Sequence, residues 1–152
     1  METIETMELP EQILAEHPFL KELEPRHLQF MTECASELHF VAGQYILREG
    51  EAATHLYLIG HGKVALGTII PGRGFTTLEI LEDGEPLGWS WLIPPYHWHF
   101  TGLAILPTWV MAMDGKRLRE KCEADHDFGY ELVKRLALIL GQRLRMVRMQ
   151  LV

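Results

Sequence analysis

Cysteine is scarce in this sequence, and its scarcity excludes a disulfide-stabilised fold. Only Cys34 and Cys122 occur in 152 residues, far apart and without Cys-x-x-Cys spacing. Two such thiols are typical of free, buried cysteines in a reducing compartment. The first residues are acidic and lack the basic and apolar regions of a signal peptide, and no apolar run is long enough to span a bilayer. These absences predict a cytoplasmic protein with no membrane segment.

Basic residues are also in short supply. The chain has 14 Lys and Arg against 21 Asp and Glu, which gives a formal net charge of −7. This balance argues against direct DNA binding, because DNA-binding surfaces need an excess of positive charge. The charge is uneven, since residues 127–152 hold five basic and two acidic side chains, or +3. The rest of the chain therefore carries −10.

Motifs for catalysis are largely absent. No P-loop or dinucleotide fingerprint occurs, and Ser90 lacks the second glycine of a nucleophile elbow. The one enzyme-like feature is His97-Trp98-His99, because residues i and i+2 of a strand share a face and both imidazoles could ligate one metal. No carboxylate follows until Asp114. We therefore expect no enzyme and no metal, and we keep a cupin-like metal protein using His97 and His99 as the weakest alternative.

The pattern along the chain predicts one domain over residues 1–152 with three parts. Residues 1–36 contain short apolar helices, with a start predicted at Pro25. Residues 37–113 alternate apolar and polar positions in short runs, with glycine turns about every ten residues, which predicts an antiparallel barrel or sandwich. Residues 114–152 form helices, with Asp114 as one N-cap and Asp125 or Asp127 as the next.

The last helix is longer than a small barrel requires. About 25 residues extend roughly 37 Å at 1.5 Å per residue. Its apolar side chains recur at three- or four-residue steps. They are Phe128, Leu132, Leu136, Ile139, Leu140, Leu144, Val147 and Leu151. An apolar stripe that overhangs the body predicts a homodimer through residues 128–151.

Residues 84–104 carry the candidate ligand site. Gly84 and Gly88 bracket a sharp turn, Trp89–Ile93 can make one helical turn before two prolines, and Tyr96–Ala104 has a strand pattern. A glycine followed by one turn of helix presents backbone N–H groups that suit an anion. The segment is either a small-ligand cradle or a tryptophan-rich plug in a barrel mouth.

Three sequence blocks resemble the cyclic nucleotide-binding domain of the catabolite-activator (Crp/Fnr-like) family. They are Phe19-Leu20 with Leu23, the Gly-x-x-Ile-x-x-x-Gly match at 43–50, and the Leu-Tyr-x-Ile-x-x-Gly-x-Val match at 56–64. The resemblance covers most of the chain. It implies a mainly β fold with flanking helices, a double-stranded β-helix or jelly-roll barrel, and a long carboxy-terminal helix. It also implies a non-enzymatic sensory module, whose ligand lies between residues 84–104 and that helix.

The resemblance weakens at the phosphate-binding cassette of the family. Trp89 stands where the family has a glutamate for the ribose 2′-hydroxyl, and Trp98 aligns near the arginine that binds the cyclic phosphate. His97 and His99 are then the only nearby groups that can become cationic. The candidate ligand-binding residues are Gly88, Trp89, Ser90, Trp91, Leu92, His97 and His99. The implied ligand is cyclic AMP, cyclic GMP or a divergent small molecule.

A ligand-free module is the main alternative. In it, Trp89 or Trp91 fills the pocket, and the dimer acts on a protein partner through its helix surface. Transcription factors of the family append a helix-turn-helix domain after the long helix, and this sequence stops at Val152. We therefore expect no direct DNA binding.

Overall fold

Helices flank a β-structure at both ends of the chain. The computed structural model describes residues 7–8 and 11–150. Helices α1 (Glu11–Glu16) and α2 (Pro25–Cys34) come first, and α3 (Gly115–Ala124) and α4 (His126–Gln150) come last. The predicted helix start at Pro25 is confirmed, because a proline at the first helical position loses no intrahelical hydrogen bond.

Side-chain caps set the starts of the two last helices. The Asp114 carboxylate accepts two backbone N–H groups of the first turn of α3, at 3.0 and 3.2 Å. The Asp125 carboxylate does the same for α4, at 3.1 and 3.3 Å. Both caps satisfy N–H groups that the helix leaves without a partner. Asp125 is therefore the cap of α4, and Asp127 lies in its first turn.

Nine strands in the described residues form two antiparallel sheets. One sheet has the order β1-β2-β9-β4-β7, and the other has the order β3-β8-β5-β6. The strands are β1 (Met7–Glu8), β2 (Ala35–Phe40), β3 (Tyr45–Leu47), β4 (His55–His61), β5 (Lys63–Ile70), β6 (Gly74–Glu82), β7 (Pro86–Leu87), β8 (Thr101–Ala104) and β9 (Thr108–Asp114). This arrangement is the predicted jelly roll.

The amino-terminal part differs from the helices-only prediction for residues 1–36. Strand β1 precedes both helices and pairs with β2, with Met7 opposite Glu37 and Glu8 opposite Ser36. Strand β2 itself begins at Ala35, directly after α2. Strand β1 has only two residues, which is too short for an alternating apolar and polar pattern in the sequence. Its extended conformation is evident only from its pairing with β2.

Helix α4 divides its apolar residues between two environments. Phe128, Leu132 and Leu136 are buried in the core, each no more than 5% exposed. Leu144 is 71% exposed and Val147 is 49% exposed. The predicted single stripe is therefore an inner face for the first half of the helix and an outer face beyond it. Leu151 lies outside the described residues.

Candidate functional site

The segment after β7 makes the single turn that the sequence predicted. Leu92 N–H donates to the carbonyl oxygen of Trp89 at 3.0 Å, which closes a single turn. No helix is assigned between residues 88 and 100. Pro94 and Pro95 follow at once, and neither has a backbone N–H to continue the ladder. The prediction of one turn is confirmed, but the segment does not reach helix length.

The strand predicted from Tyr96 to Ala104 is half as long. Only Thr101–Ala104 (β8) is in a sheet ladder, paired with β3 and β5. Residues 96–98 bond instead to the loop at 50–53, where the amide N–H of Trp98 donates to the carbonyl oxygen of Glu51 at 2.9 Å. Tyr96 has a φ of +59°, which breaks an extended run. Alternation alone cannot place such a residue.

Because of this loop, His97 and His99 do not act as a pair. The Nδ1–H of His97 donates to the carbonyl oxygen of Pro95 at 2.8 Å. Nδ1 of His99 lies 3.1 Å from the hydroxyl oxygen of Ser90. No group of three or more His, Cys, Asp or Glu side chains suited to a metal occurs in the part of the chain that the structure describes. The geometry therefore gives the cupin-like alternative no support.

Two of the three tryptophans in residues 84–104 are core residues. Trp91 is fully buried, and its indole N–H donates to the carbonyl oxygen of Gly88 at 3.1 Å. Trp98 is 6% exposed and lies over Gly88, where a Cβ would stand 2.6 Å from its ring. Gly88 also has a φ of +95°. The position therefore needs glycine for its conformation and for its space.

Trp89 and His99 close the outer side of the turn. Their rings stack with centroids 5.4 Å apart and planes 11° apart. Trp89 is half-buried and His99 is exposed. Ser90 lies beneath them and is buried. The three side chains thus form a lid of stacked rings over a hydroxyl.

Arg143 is the residue at this site that the sequence did not predict. Its Nη2 donates to the carbonyl oxygen of Pro86 at 2.5 Å, and its Nε is 3.6 Å from a carboxylate oxygen of Glu79. That Nε is buried and has no hydrogen-bond partner. Burial lowers the pKa of Arg143, although the nearby carboxylates of Glu79 and Glu85 oppose the shift.

The prediction that only His97 and His99 can supply positive charge near the turn is therefore wrong. Arg143 comes from α4, more than 50 residues along the chain, and short sequence spacing cannot indicate such a neighbour. Arg119 of α3 is a second omission. Its Nη1 donates to the carbonyl oxygen of Trp91 at 2.6 Å, and its guanidinium lies 4.1 Å from the centre of the Tyr96 ring.

The turn and α4 enclose a small space, called here the Ser90 cavity. Its volume is about 20 Å³, whereas small-molecule sites usually measure about 300–1,000 Å³. Trp91 and Leu92 lie outside it, in the core and in a groove beside Tyr96. The cavity is lined by Leu47, Leu66, Gly88, Trp89, Ser90, Trp98, His99, Phe100 and Arg143.

Comparison with known proteins identifies the family. The model of the cyclic nucleotide-binding domain family matches residues 37–125. The chain therefore belongs to the cyclic nucleotide-binding domain family, a family of regulatory domains. No helix in the described ranges is long and apolar enough to cross a membrane.

Curated relatives include two regulatory proteins. A CRP-like cAMP-activated global transcriptional regulator of Mycobacterium tuberculosis is 27% identical over 135 residues, which cover 89% of this chain and 58% of the regulator. Human cGMP-dependent protein kinase 2 is 31% identical over 51 residues, which cover 34% of this chain and 7% of the kinase. The chain thus spans less than two thirds of either relative.

Solved structures confirm the fold. A candidate cyclic nucleotide-binding protein of Geobacter metallireducens has a TM-score of 0.82 at 28% identity, over 90% of this chain and 98% of that one. The catabolite activator protein of Thermus thermophilus has a TM-score of 0.69 at 23% identity, over 88% of this chain and 61% of that one. The Crp/Fnr-like resemblance is thereby confirmed.

Proposed function

We propose that this chain is a non-enzymatic regulatory module that binds a small anionic ligand between residues 84–104 and α4. Cyclic AMP and cyclic GMP are the first candidates, because the relatives include a cAMP-activated regulator and a cGMP-dependent kinase. The observation that carries the proposal is Arg143, a partly buried cation of α4 with a buried Nε, which lines the same cavity as Ser90. A buried guanidinium with an unmet donor favours an anionic partner.

Arg143 offers the charge that the cassette of the chain lacks. The carboxylate of Glu79 is 3.6 Å away, which is too long for a good charge-assisted hydrogen bond. A cyclic phosphate seated at Ser90 would compete for the donors now directed at Glu79 and the Pro86 carbonyl. Arginine in the helix would then take the role of the missing arginine in the cassette.

Two arginines also connect the turn to the helices. Arg143 of α4 holds the carbonyl of Pro86, and Arg119 of α3 holds the carbonyl of Trp91. These carbonyls lie at the two ends of the turn that contains Ser90. A ligand that moves the turn must therefore alter both contacts, and through them the helices. Because these contacts would differ between the ligand-bound and the ligand-free protein, ligand binding can shift the positions of α3 and α4.

Ligand entry requires the lid to open. The Ser90 cavity holds about 20 Å³, far less than a nucleotide site needs. The stacked rings of Trp89 and His99 are the movable part, because one is half-buried and the other exposed. Trp91 and Trp98, which are buried in the core, stay in place. Opening thus costs one ring stack and one hydroxyl contact.

We also propose a homodimer through α4. Val133, Ala137, Leu140, Leu144 and Val147 follow four-three spacing on its exposed side. That spacing is the seam of a coiled coil, and it lies roughly 100° around the helix from the buried face of Phe128, Leu132 and Leu136. Free Cys34 and Cys122 fit a reducing compartment and support a cytoplasmic location.

The ligand-free alternative has its own observation in its favour. The same small volume that requires an opening lid is expected of a pocket permanently filled by Trp89. In that case α4 alone would carry the function, as a surface for a protein partner. The two proposals differ in one property, which is whether the unmodified protein responds to a cyclic nucleotide.

Thermal unfolding with millimolar cyclic AMP, and separately cyclic GMP, tests the proposal. A ligand at about a hundred times its dissociation constant stabilises by roughly 2.7 kcal/mol, which is a rise of several degrees in Tm. Arg143→Met should abolish that rise. Arg145→Met is the matched control, because Arg145 is an exposed arginine of the same helix.

Other outcomes decide between the alternatives. A rise that appears only in Trp89→Ala would mean that the tryptophan plugs a competent pocket, which supports the ligand-free module. No rise in either protein with either nucleotide would refute cyclic-nucleotide binding. A rise that survives Arg143→Met would refute the role given to that arginine.

A further inference from the structure

A second and much larger cavity lies between strand β2 of one sheet and edge strand β3 of the other. Its volume is about 640 Å³, within the range of about 300–1,000 Å³ typical of small-molecule sites. We call it the Arg48 cavity. It is lined by Leu38, Phe40, Gly43, Gln44, Tyr45, Ile46, Leu47, Arg48, Glu51 and Tyr57.

Tyr57 contributes a hydroxyl to this cavity. The residue is 8% exposed, and its ring is held between those of His55 at 5.7 Å and Trp98 at 6.3 Å. No hydrogen-bond partner for the hydroxyl is found among residues 7–8 and 11–150. Burial raises the pKa of Tyr57 to about 12, so the phenol keeps its proton and remains a donor. The hydroxyl can therefore donate to a ligand in the cavity.

Arg48 contributes a positive charge in a fixed plane. Its guanidinium lies 4.2 Å from the centre of the Tyr45 ring. Within the described ranges, no carboxylate lies at ion-pair distance from it. Stacking leaves the edge of the guanidinium free, and that edge matches the two oxygens of a carboxylate. Glu51 also lines the cavity and disfavours a ligand with two negative charges.

From these groups we propose that the Arg48 cavity binds an aromatic carboxylate. The carboxylate would pair with Arg48, and the ring would contact Leu38, Phe40 and Leu47, apolar side chains in a lining that is otherwise mainly polar. The Tyr57 hydroxyl would donate to a polar substituent deeper in the cavity. An aromatic body suits the site better than an aliphatic one, because the Tyr45, Phe40 and Tyr57 rings offer faces and edges for ring contacts. The site differs from the Ser90 cavity, with which it shares only Leu47 among the lining residues.

Titration with 2-naphthoate tests this proposal, with neutral 2-naphthamide as the matched compound. The indole N–H resonances of the protein give a local readout, and the Trp98 signal is identified by its loss in Trp98→Phe. We expect saturable binding that moves the Trp98 signal, because its ring contacts Tyr57. Naphthamide should bind about tenfold or more weakly, since a charge-assisted hydrogen bond contributes about 1.5–3 kcal/mol.

Three variants locate the charge and the donor. Arg48→Met should weaken naphthoate binding about tenfold or more and leave naphthamide unchanged. Arg73→Met is its control, because Arg73 is an exposed arginine outside the cavity. Tyr57→Phe removes only the hydroxyl. It should weaken 6-hydroxy-2-naphthoate more than 2-naphthoate, since only the former places a polar group deep in the cavity.

The proposal is overturned by any of three results. The first is equal affinity for naphthoate and naphthamide. The second is an unchanged affinity for naphthoate in Arg48→Met. The third is the absence of saturable binding at millimolar concentration. Naphthoate binding that moves the Trp89 signal and is lost in Arg143→Met would place the ligand in the Ser90 cavity, which also refutes it. Arg48 is exposed, so its variant should fold even if Tyr57→Phe does not.

Discussion

Acid should destabilise this protein through His17, which lies in the turn after α1. The residue is 5% exposed. Its Nε2–H donates to the carbonyl oxygen of Ile59 at 2.9 Å, and its Nδ1 accepts the backbone N–H of Phe19 at 3.2 Å. The two contacts can be made together only by the neutral ring with its proton on Nε2. Burial lowers the pKa of His17, although the bond to Ile59 opposes the shift.

The sign of the effect follows from these contacts. Above the unfolded pKa of about 6.5, both states are neutral and the stability is fully present. As the pH falls below that value, the unfolded chain takes up a proton that the folded chain resists, so the free energy of unfolding falls. The loss ends once the pH is below the lowered pKa of the folded state. Two acidic side chains, Glu16 and Asp83, line the adjacent space. Their negative charge favours the protonated ring and so reduces the loss of stability.

The size of the loss follows from the hydrogen bonds. Protonation of Nδ1 turns the acceptor of the Phe19 N–H into a donor and leaves that N–H unmet, which costs about 1–3 kcal/mol. We therefore expect the His17 contribution to fall by about 1–2 kcal/mol between about pH 7.5 and about pH 5. Because Arg135 of α4 donates to the carbonyl oxygen of Phe19 at 2.8 Å, the perturbation should also loosen α4.

Urea unfolding at fixed protein concentration measures this, with His17→Gln as the comparison. Glutamine can donate to the Ile59 carbonyl but does not titrate. The wild-type protein should lose more stability in acid than the variant, so the gap between them narrows as the pH falls. His55, whose pKa burial also lowers, is common to both proteins and cancels. Identical pH dependence in the two proteins would refute the reasoning.

Two further predictions follow from the packing. Gly88→Ala should destabilise the fold by about 2–4 kcal/mol in urea unfolding, because a Cβ there meets the Trp98 ring at 2.6 Å and φ is +95°. Its control is Gly141→Ala in open space on α4, expected to stabilise by up to about 1 kcal/mol; equal effects would contradict the packing argument. Leu144→Lys should convert the dimer to a monomer in light scattering, whereas Gln142→Lys, off the seam, should not. A wild-type monomer at high micromolar concentration would contradict the proposed dimer.

The fold could be predicted from sequence because its signals are local. Gly43 and Gly50 stand at turns with φ of +91° and +89°, which is the role that the block match at 43–50 implied. The capping carboxylate of Asp114 acts on residues two and three positions away. Turn glycines and caps act over a few residues, so they are visible in a linear pattern.

The site was harder to predict because its residues meet only in three dimensions. Arg143 reaches the Pro86 carbonyl from 57 positions along the chain, and nothing in the spacing fixes how α4 rotates over the turn. The family resemblance implied that the ligand lies against α4, but it did not indicate which residue of α4 would contact it. His97 and His99 failed as a pair for a related reason, since the loop at 50–53 captures residues 96–98 and ends the strand.

The position of Trp98 has a consequence for any two ligands. Its ring covers Gly88 and lines the Ser90 cavity, and it also contacts Tyr57, which lines the Arg48 cavity. A ligand in either cavity that shifts this ring also changes the wall of the other cavity. If both cavities are occupied as proposed, cyclic nucleotide and aromatic carboxylate must alter each other's dissociation constant by one and the same factor. A factor of one would mean that Trp98 is a rigid partition and that the two sites are independent.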